Sequence, residues 1–496
     1  MLSRATPRLG GPRRMRRAAS VMMAAFAITV SATSVVLTAG SASARGRPNI
    51  VLIVTDDQRA DALGSMPTVR RQLKARGTWF SNAFAPNPLC CPSRASILTG
   101  LHSHHTGVYD NAAPNGGFAV FDDRVTVATV LQGAGYRTAY IGKYLNGYSP
   151  TRMTYVPPGW DRWFAFGNGA YYRYRASADG EIKRYGSREA HYSARVMTRQ
   201  ARSFIRADPN GERFFLVLSS AAAHGSRRSS DEEGNMPIPS RRDLGRLDGI
   251  KLWRPESYGL RDDVSDMPLY IQQRGWNEAH RERIDLFRQR QLEALSSFDR
   301  QISRLLKDVP QNTLVIFLSD NGYMWGEHRW MSKRVPYEES IRIPLIMRWP
   351  GRVPVGEDRR LALNIDIAPT LLSAAGLPRS TPTGIDVTTD SPVRADGTSL
   401  LSRHRIRAFP LEHFNSGQGI PAYCGIRTRN GWMYVRYWQG GGSPDNGFEE
   451  LYRVRKDPLQ RRNLSANPSF DEERLNLRER ARELCDPPPP GYEWGG

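Results

Sequence analysis

Five short runs, 49–55, 138–142, 214–219, 313–319 and 343–348, are aliphatic or β-branched at nearly every position, and each stops at a polar residue. Strands that are apolar throughout, rather than at alternate positions, are buried on both faces, which is the condition of parallel strands in an α/β sheet. Helical patterns separate them, at 125–134, 193–206 and 278–307. The alternation predicts a doubly wound α/β sheet with helices on both faces. Two stretches, 149–188 and 225–266, are polar and aromatic without clear period, and are expected to be long loops over a functional site. After D-G-T-S-L-L at 396–401 come a short strand pattern at 432–438, a helical one at 470–484 and a Pro-rich tail. The expected organisation is a catalytic domain over 45–405 and a smaller α+β subdomain over 406–496.

Open α/β sheets bind ligands outside the carboxyl ends of their strands. That rule selects the residues just after each run: Asp56 and Asp57, Lys143, His224, and Asp320 with Asn321. Three carboxylates and an amide are all oxygen donors, a set suited to Ca²⁺ or Mg²⁺ rather than zinc. Each pair also has a plain reading, since D-D after a strand is often a helix cap and D-N-G is a common turn. Residues 90–100 read C-C-P-S-R-A-S-I-L-T-G. Pro92 needs no amide hydrogen in the first turn of a helix, so a helix beginning here aims its positive end at residue 90.

This run resembles the sulfatase maturation signature, C-x-P-S-R followed by L-T-G, and the resemblance extends from Pro48 to about Cys485. P-N-I-V-L-I-V-T-D-D-Q at 48–58 is similar to the family's first strand and metal-binding aspartates, and L-S-D-N-G-Y at 318–323 to its second metal-binding segment. The resemblance implies an alkaline-phosphatase-like fold and conversion of Cys90 to Cα-formylglycine (3-oxoalanine) by a formylglycine-generating enzyme, with Cys91 as the variable position. It implies that Asp56, Asp57, Asp320 and Asn321, with residue 90 itself, hold the cation. By the same resemblance Arg94 would steady the nucleophile and the carboxylates, Lys143 and Lys333 would hold the sulfate, and His224 would contact the scissile oxygen as general acid. In the implied mechanism one hydroxyl of the hydrated aldehyde attacks sulfur, and the other lets the intermediate collapse and release sulfate. A buried structural histidine is the alternative for His224, and His328 is a further candidate for the rim.

Many arylsulfatases carry a histidine two residues after the first sulfate-binding lysine; here that position is Leu145, in G-K-Y-L-N-G-Y, with Asn146 as a possible substitute. Together with C-C-P-S-R and P-P-G-W at 157–160, this resembles the branch of N-acetylglucosamine-6-sulfatases and extracellular heparan endosulfatases. The expected activity is therefore hydrolysis of a sulfate ester on a glycan such as N-acetylglucosamine 6-sulfate. An arylsulfatase, a phosphatase or phosphonate hydrolase of the same superfamily, and a non-catalytic polyanion-binding protein are the competing readings. His102, His104 and His105 lack the partner spacing of a zinc site and are expected in a loop near the substrate.

Arg13, Arg14, Arg16 and Arg17 precede an apolar stretch at 21–37 and the small-residue pattern Ala42-Ser43-Ala44. That is the pattern of a cleaved signal peptide over 1–44, so a secreted or extracytoplasmic protein without a stable membrane anchor is expected. Residues 1–44 hold six arginines and no acid, leaving a formal +15 of the chain's +21 on the remainder. Such charge favours polyanions. No zinc-finger spacing, RNP-like run or glycine-arginine repeat points to nucleic acid, and a sulfated glycan accounts for the charge. Cys424 and Cys485 are candidates for one disulfide in an oxidising compartment.

Overall fold

The seven residues of β1 (Asn49–Thr55), N-I-V-L-I-V-T, lie in the middle of a ten-stranded sheet, and every one is buried. Alternation along the strand sends Val51 and Ile53 into one hydrophobic cluster and Ile50, Leu52 and Val54 into another, so the run is apolar because both faces are covered. This computed structural model describes residues 46–167, 169–207, 211–226, 235–259, 263–403, 405–415, 418–438, 440 and 445–495. The expected signal peptide lies outside them.

β3 (Arg137–Lys143), β7 (Phe214–Ser219) and β8 (Thr313–Ser319) join β1 as parallel strands. Starting from the outer strand Gly356–Leu363, the order is β2 (Thr78–Phe84), Leu345–Arg348, β8, β1, β7, β3, β4 (Arg162–Phe166), β5 (Arg175–Ala178) and β6 (Glu181–Arg184). One face is covered by the helices Ser193–Arg206 and Glu278–Leu305 through Val196, Phe204, Leu295 and Phe298. The other is covered by α1 (Cys90–Thr99), Val127–Gly133 and Ile367–Ala374 through Ala95, Leu131 and Leu371. The doubly wound architecture is thus present, in a sheet of mixed direction.

Two expectations need correction. The run at 343–348 forms a strand, Leu345–Arg348, but it is antiparallel to both neighbours, β8 and β2. Continuous apolarity reports burial on both faces and says nothing of direction. The stretch 149–188 is not wholly loop, because β4, β5 and β6 extend the sheet. The β5–β6 hairpin turns on Asp179 and Gly180, at φ 52° and 89°, the left-handed pair that an Asp-Gly two-residue turn supplies. In the stretch 225–266, the described segment 235–259 forms no helix or strand.

The C-terminal region folds as an antiparallel sheet of four strands, Ala408–His413, Ala422–Thr428, Trp432–Trp438 and Glu449–Arg453. Helix Asp471–Leu484 covers it through Leu477 and Ala481, which meet Ile426, Tyr434 and Leu451. Tyr423, Tyr437 and Tyr452 share a cluster with Phe84, Trp330 and Tyr337, so this sheet packs directly on the segment that follows β8. Cys424 and Cys485 are buried in one small cluster but are both free thiols, not the disulfide that export and parity suggested.

Candidate active site

Strand ends and one helix start converge on a buried cluster of charges. Asp56 and Asp57 follow β1, Lys143 ends β3, Asp320 and Asn321 follow β8, and all five are at most 3% exposed. β3 reaches this point because residue 142 is glycine: a Cβ there would lie 1.8 Å from Ser219 O on β7. Asp57 takes φ 60°, and its N–H donates to Asp320 Oδ1 at 3.2 Å, which ties the two carboxylate segments together.

α1 starts at Cys90, with Leu89 extended before it and no side-chain cap. All ten of its residues are buried, so it shows no amphipathic stripe and only the C-x-P-S-R motif betrays it. Arg94, one turn in, donates from Nε to Asp320 Oδ2 (2.8 Å) and from one terminal nitrogen to Lys143 O (2.9 Å) and Ser219 Oγ (2.7 Å). It staples the ends of β8, β3 and β7 together. Lys143 ion-pairs with Asp56, and Lys333, just past the short hairpin Met324–Trp325/Met331–Ser332, with Asp57. Lys333 Nζ also donates to Cys90 Sγ at 3.1 Å, and Cys90 Sγ lies 3.5 Å from Asp56 Oδ1.

His224 sits at the mouth. Its Nδ1 is 2.6 Å from Gly225 O, which fixes the ring and turns Nε2 towards Asp57 Oδ2, 3.9 Å away. A cavity of about 680 Å³ opens here, lined by Asp57, His224, Lys333, Arg334, Asn111 and Asn146 among others. The expected rim residue His328 does not line it, being fully buried and stacked on Tyr337 at 3.9 Å between ring centres. The histidines at 102–105 do not line it either. His104 Nδ1 lies 3.0 Å from Glu412 and His105 Nδ1 2.8 Å from Asp396, so the Ser103–Thr106 turn is tied to the C-terminal sheet and to the 396 loop.

Burial works against every charge in the cluster, and the neighbours decide the outcome. Burial pushes Asp56 up, but Lys143, His224 and Arg94 overturn this and hold it well below the usual carboxylate range. Asp320, buried and facing Asp56, is left at about 7 despite Arg94. Burial also lifts Cys90 to about 11 against the pull of both lysines, so the unmodified side chain is a thiol at neutral pH. The donor set fits a hard cation: oxygens of Asp56, Asp57 and Asp320 lie within 4.8 Å of one another, and Asn321 Oδ1 is buried with no hydrogen-bond partner among the described residues. A divalent ion would supply the positive charge that leaves Asp320 wanting.

Other contributors carry no local signal. Ser219 holds Arg94, Asn111 Oδ1 accepts the Cys91 N–H at 2.9 Å, and Gln418 reaches the rim from the C-terminal region. Tyr323 was visible as the last residue of L-S-D-N-G-Y, though nothing in the motif separates wall from site.

The sulfatase family profile matches residues 48–377, and the profile for the C-terminal region of N-sulphoglucosamine sulphohydrolase matches 326–486. A Caenorhabditis elegans protein named as an extracellular sulfatase Sulf-1 homolog is 33% identical over 385 residues, covering 74% of this chain and 50% of that one. Human N-acetylglucosamine-6-sulfatase is 31% identical over 360 residues, covering 68% of this chain and 62% of its own. The chain thus spans about half the length of the nematode relative and under two thirds of the human one. The solved structure of BT4656 in complex with its substrate D-glucosamine-2-N,6-O-disulfate superposes with a TM-score of 0.71 at 23% identity, over 89% of this chain and 98% of that one, a likeness of fold. On the profile match and these identities, this chain belongs to the sulfatase family.

Proposed function

We propose that this chain hydrolyses sulfate esters of glycans, with formylglycine formed from Cys90 as its nucleophile and a 6-sulfated N-acetylglucosamine unit as its substrate. The observation that carries the reading is the setting of Cys90, buried at the start of α1 between Lys333 at 3.1 Å and Asp56 at 3.5 Å. When present, the hydrated aldehyde supplies two hydroxyls on one carbon, and Ca²⁺ or Mg²⁺ held by Asp56, Asp57, Asp320 and Asn321 supplies positive charge beside them.

The chain's own side chains do the rest. Lys143 and Lys333, both buried, bind sulfate oxygens through their ammonium donors, and burial strengthens such interactions. His224, protonated on both ring nitrogens, gives its Nε2 proton to the departing alcohol oxygen while Nδ1–H stays on Gly225 O; burial disfavours that imidazolium and the carboxylates of Asp56 and Asp57 favour it. Arg94 acts at one remove, fixing Asp320 and the strand ends. The N-acetylglucosamine assignment is supported by G-K-Y-L-N-G-Y, by the relative named N-acetylglucosamine-6-sulfatase and by the surplus of basic residues.

Residues 45–405 are taken as the catalytic domain and 406–496 as a subdomain that lends Gln418 to the rim. The protein acts outside the cytoplasm after removal of residues 1–44, and its maturation partner is a formylglycine-generating enzyme. Among the described residues no helix is long and apolar enough to cross a membrane.

The test is the mass of the residue-90 peptide after co-expression with a formylglycine-generating enzyme, together with turnover of N-acetylglucosamine 6-sulfate, an aryl sulfate and a phosphate diester. Loss of the Cys90 sulfur in the peptide and the highest kcat/KM on the sugar sulfate are expected. A protein active with Cys90 intact would remove the nucleophile, and preference for the phosphate diester would move the chain to the phosphohydrolase reading.

A further inference from the structure

Asn146 Oδ1 is buried and has no hydrogen-bond partner among the described residues, yet its residue lines the same cavity as Asp57, His224 and Lys333. Buried amide oxygens are nearly always satisfied, so an orphan on a cavity wall calls for a donor that arrives from outside.

The residue is not free to drift. Its N–H donates to Cys91 Sγ at 3.0 Å, and its C=O accepts from Phe118 N at 2.8 Å. Cys91 is itself fixed, since its N–H donates to Asn111 Oδ1, another residue of the cavity lining. The Asn146 backbone is therefore held at a set distance from the residue next to Cys90, three residues beyond Lys143 at the end of β3, and its side chain starts from a fixed point on the cavity lining.

We propose that Asn146 is a specificity-determining residue, whose side-chain oxygen accepts a hydrogen bond from a hydroxyl or N–H on the carbon skeleton beside the sulfated position. This rests on the sulfate-ester reading above. Lys333 and Arg334 bring cations to the same lining, whereas Asn146 brings a neutral acceptor, so one cavity offers separate partners to the sulfate and to the neutral, donor-bearing part of the same molecule. N-acetylglucosamine 6-sulfate has such donors on its ring, the C4 hydroxyl being the nearest to the ester; a simple aryl sulfate has none. A site built to pair a donor discriminates strongly against a molecule that lacks it, because its own polar group is then left unpaired.

The test measures kcat/KM of the full, matured chain on N-acetylglucosamine 6-sulfate and on 4-nitrophenyl sulfate, for wild type, Asn146→Ala and Asn146→Asp. The readout is the sugar-to-aryl ratio, which is insensitive to a shared loss of conversion, folding or charge balance. The ratio should fall by about tenfold or more in Asn146→Ala, the size of one lost hydrogen bond, and should be largely kept in Asn146→Asp, which preserves the acceptor. An unchanged ratio in Asn146→Ala, or equal collapse in both variants, overturns the proposal. Wild type active on the aryl ester alone also overturns it while leaving the hydrolase standing, whereas wild type inert on both esters removes the hydrolase reading and this one with it.

Discussion

Arg94 is the side chain whose replacement tests most directly how the cluster is held. It is 4% exposed and makes three hydrogen bonds from two of its nitrogens, to Asp320, Lys143 O and Ser219 Oγ. Arg94→Lys keeps the charge but has no planar fork, so it can retain the Asp320 contact only by giving up the other two. Those acceptors are not stranded, because Lys143 O still receives Tyr140 OH at 2.6 Å and Ser219 Oγ at 2.7 Å. The loss is then that of two charge-assisted bonds with satisfied acceptors left behind, about 2–3 kcal/mol. Arg94→Ala also removes the cation beside a wholly buried carboxylate, and breaking such a pair costs about 3–5 kcal/mol or more.

Urea unfolding followed by tryptophan fluorescence is the right assay, because activity is confounded: Arg94 lies inside the C-x-P-S-R run, which on the proposed reading a formylglycine-generating enzyme must recognise. The expected order of midpoints is wild type, then Arg94→Lys, then Arg94→Ala. Lysine and wild type unfolding together would show that the fork contributes nothing. Equal loss in both variants would show that the charge on Asp320 is not what Arg94 answers.

Asp320→Ala should lower bound Ca²⁺ or Mg²⁺ and turnover together, measured by elemental analysis and kinetics, and stoichiometric zinc in a fully active protein would refute the oxygen-donor centre. Burial, offset in part by hydroxyls of Tyr437, Tyr452 and Tyr337, lifts Glu450 from 4.5 to about 7. The folded state therefore binds an extra proton between those values, and stability falls as pH rises through that window, by up to about 3 kcal/mol for this group. Glu450→Gln should gain on wild type in urea midpoint as pH goes from about 5 to about 8, and a difference that does not vary with pH would refute the assignment. Cys91→Ser should keep more activity than Cys91→Ala, because the Asn146 N–H needs an acceptor at residue 91; the reverse order in kcat/KM would deny that bond a role.

The strands that bear the site were legible because they are buried on both faces. β1, β3, β7 and β8 read as unbroken apolar runs, and the polar residues that end them stand out by contrast. The helix Ser193–Arg206 was legible for the opposite reason, having one apolar face and one basic face. β4 was missed because its aromatic residues sit in a polar stretch, although Asp179-Gly180 was a hairpin signal in plain view. The direction of Leu345–Arg348 could not be read at all, since antiparallel pairing depends on where the preceding segment delivers the chain. Lys333 was reachable only through family resemblance: it follows a two-residue strand, too short for any periodic signal. Asn111 and Ser219 join the site through contacts spanning 20 and 125 residues, which no local pattern encodes.

The cluster itself argues that stability is not what its composition serves. Arg94, Lys143 and Lys333 face Asp56, Asp57 and Asp320, and all six are buried. Desolvating so many ionised groups is costly, and well-packed apolar residues of similar volume are often as stable or more so. The pairing is also incomplete: among the described residues one terminal nitrogen of Arg94 and the side-chain oxygen of Asn321 have no partner, and Asp320 sits at about 7. An apolar core leaves no such remainder. Unsatisfied donors and acceptors of both signs, arranged around one cysteine at a helix N-terminus, are what remains when a site is shaped for a cation and an oxyanion together. Three charge pairs, Arg94–Asp320, Lys143–Asp56 and Lys333–Asp57, offset much of that desolvation cost, and on the reading proposed above the unmatched atoms are those that a cation and an oxyanion would meet.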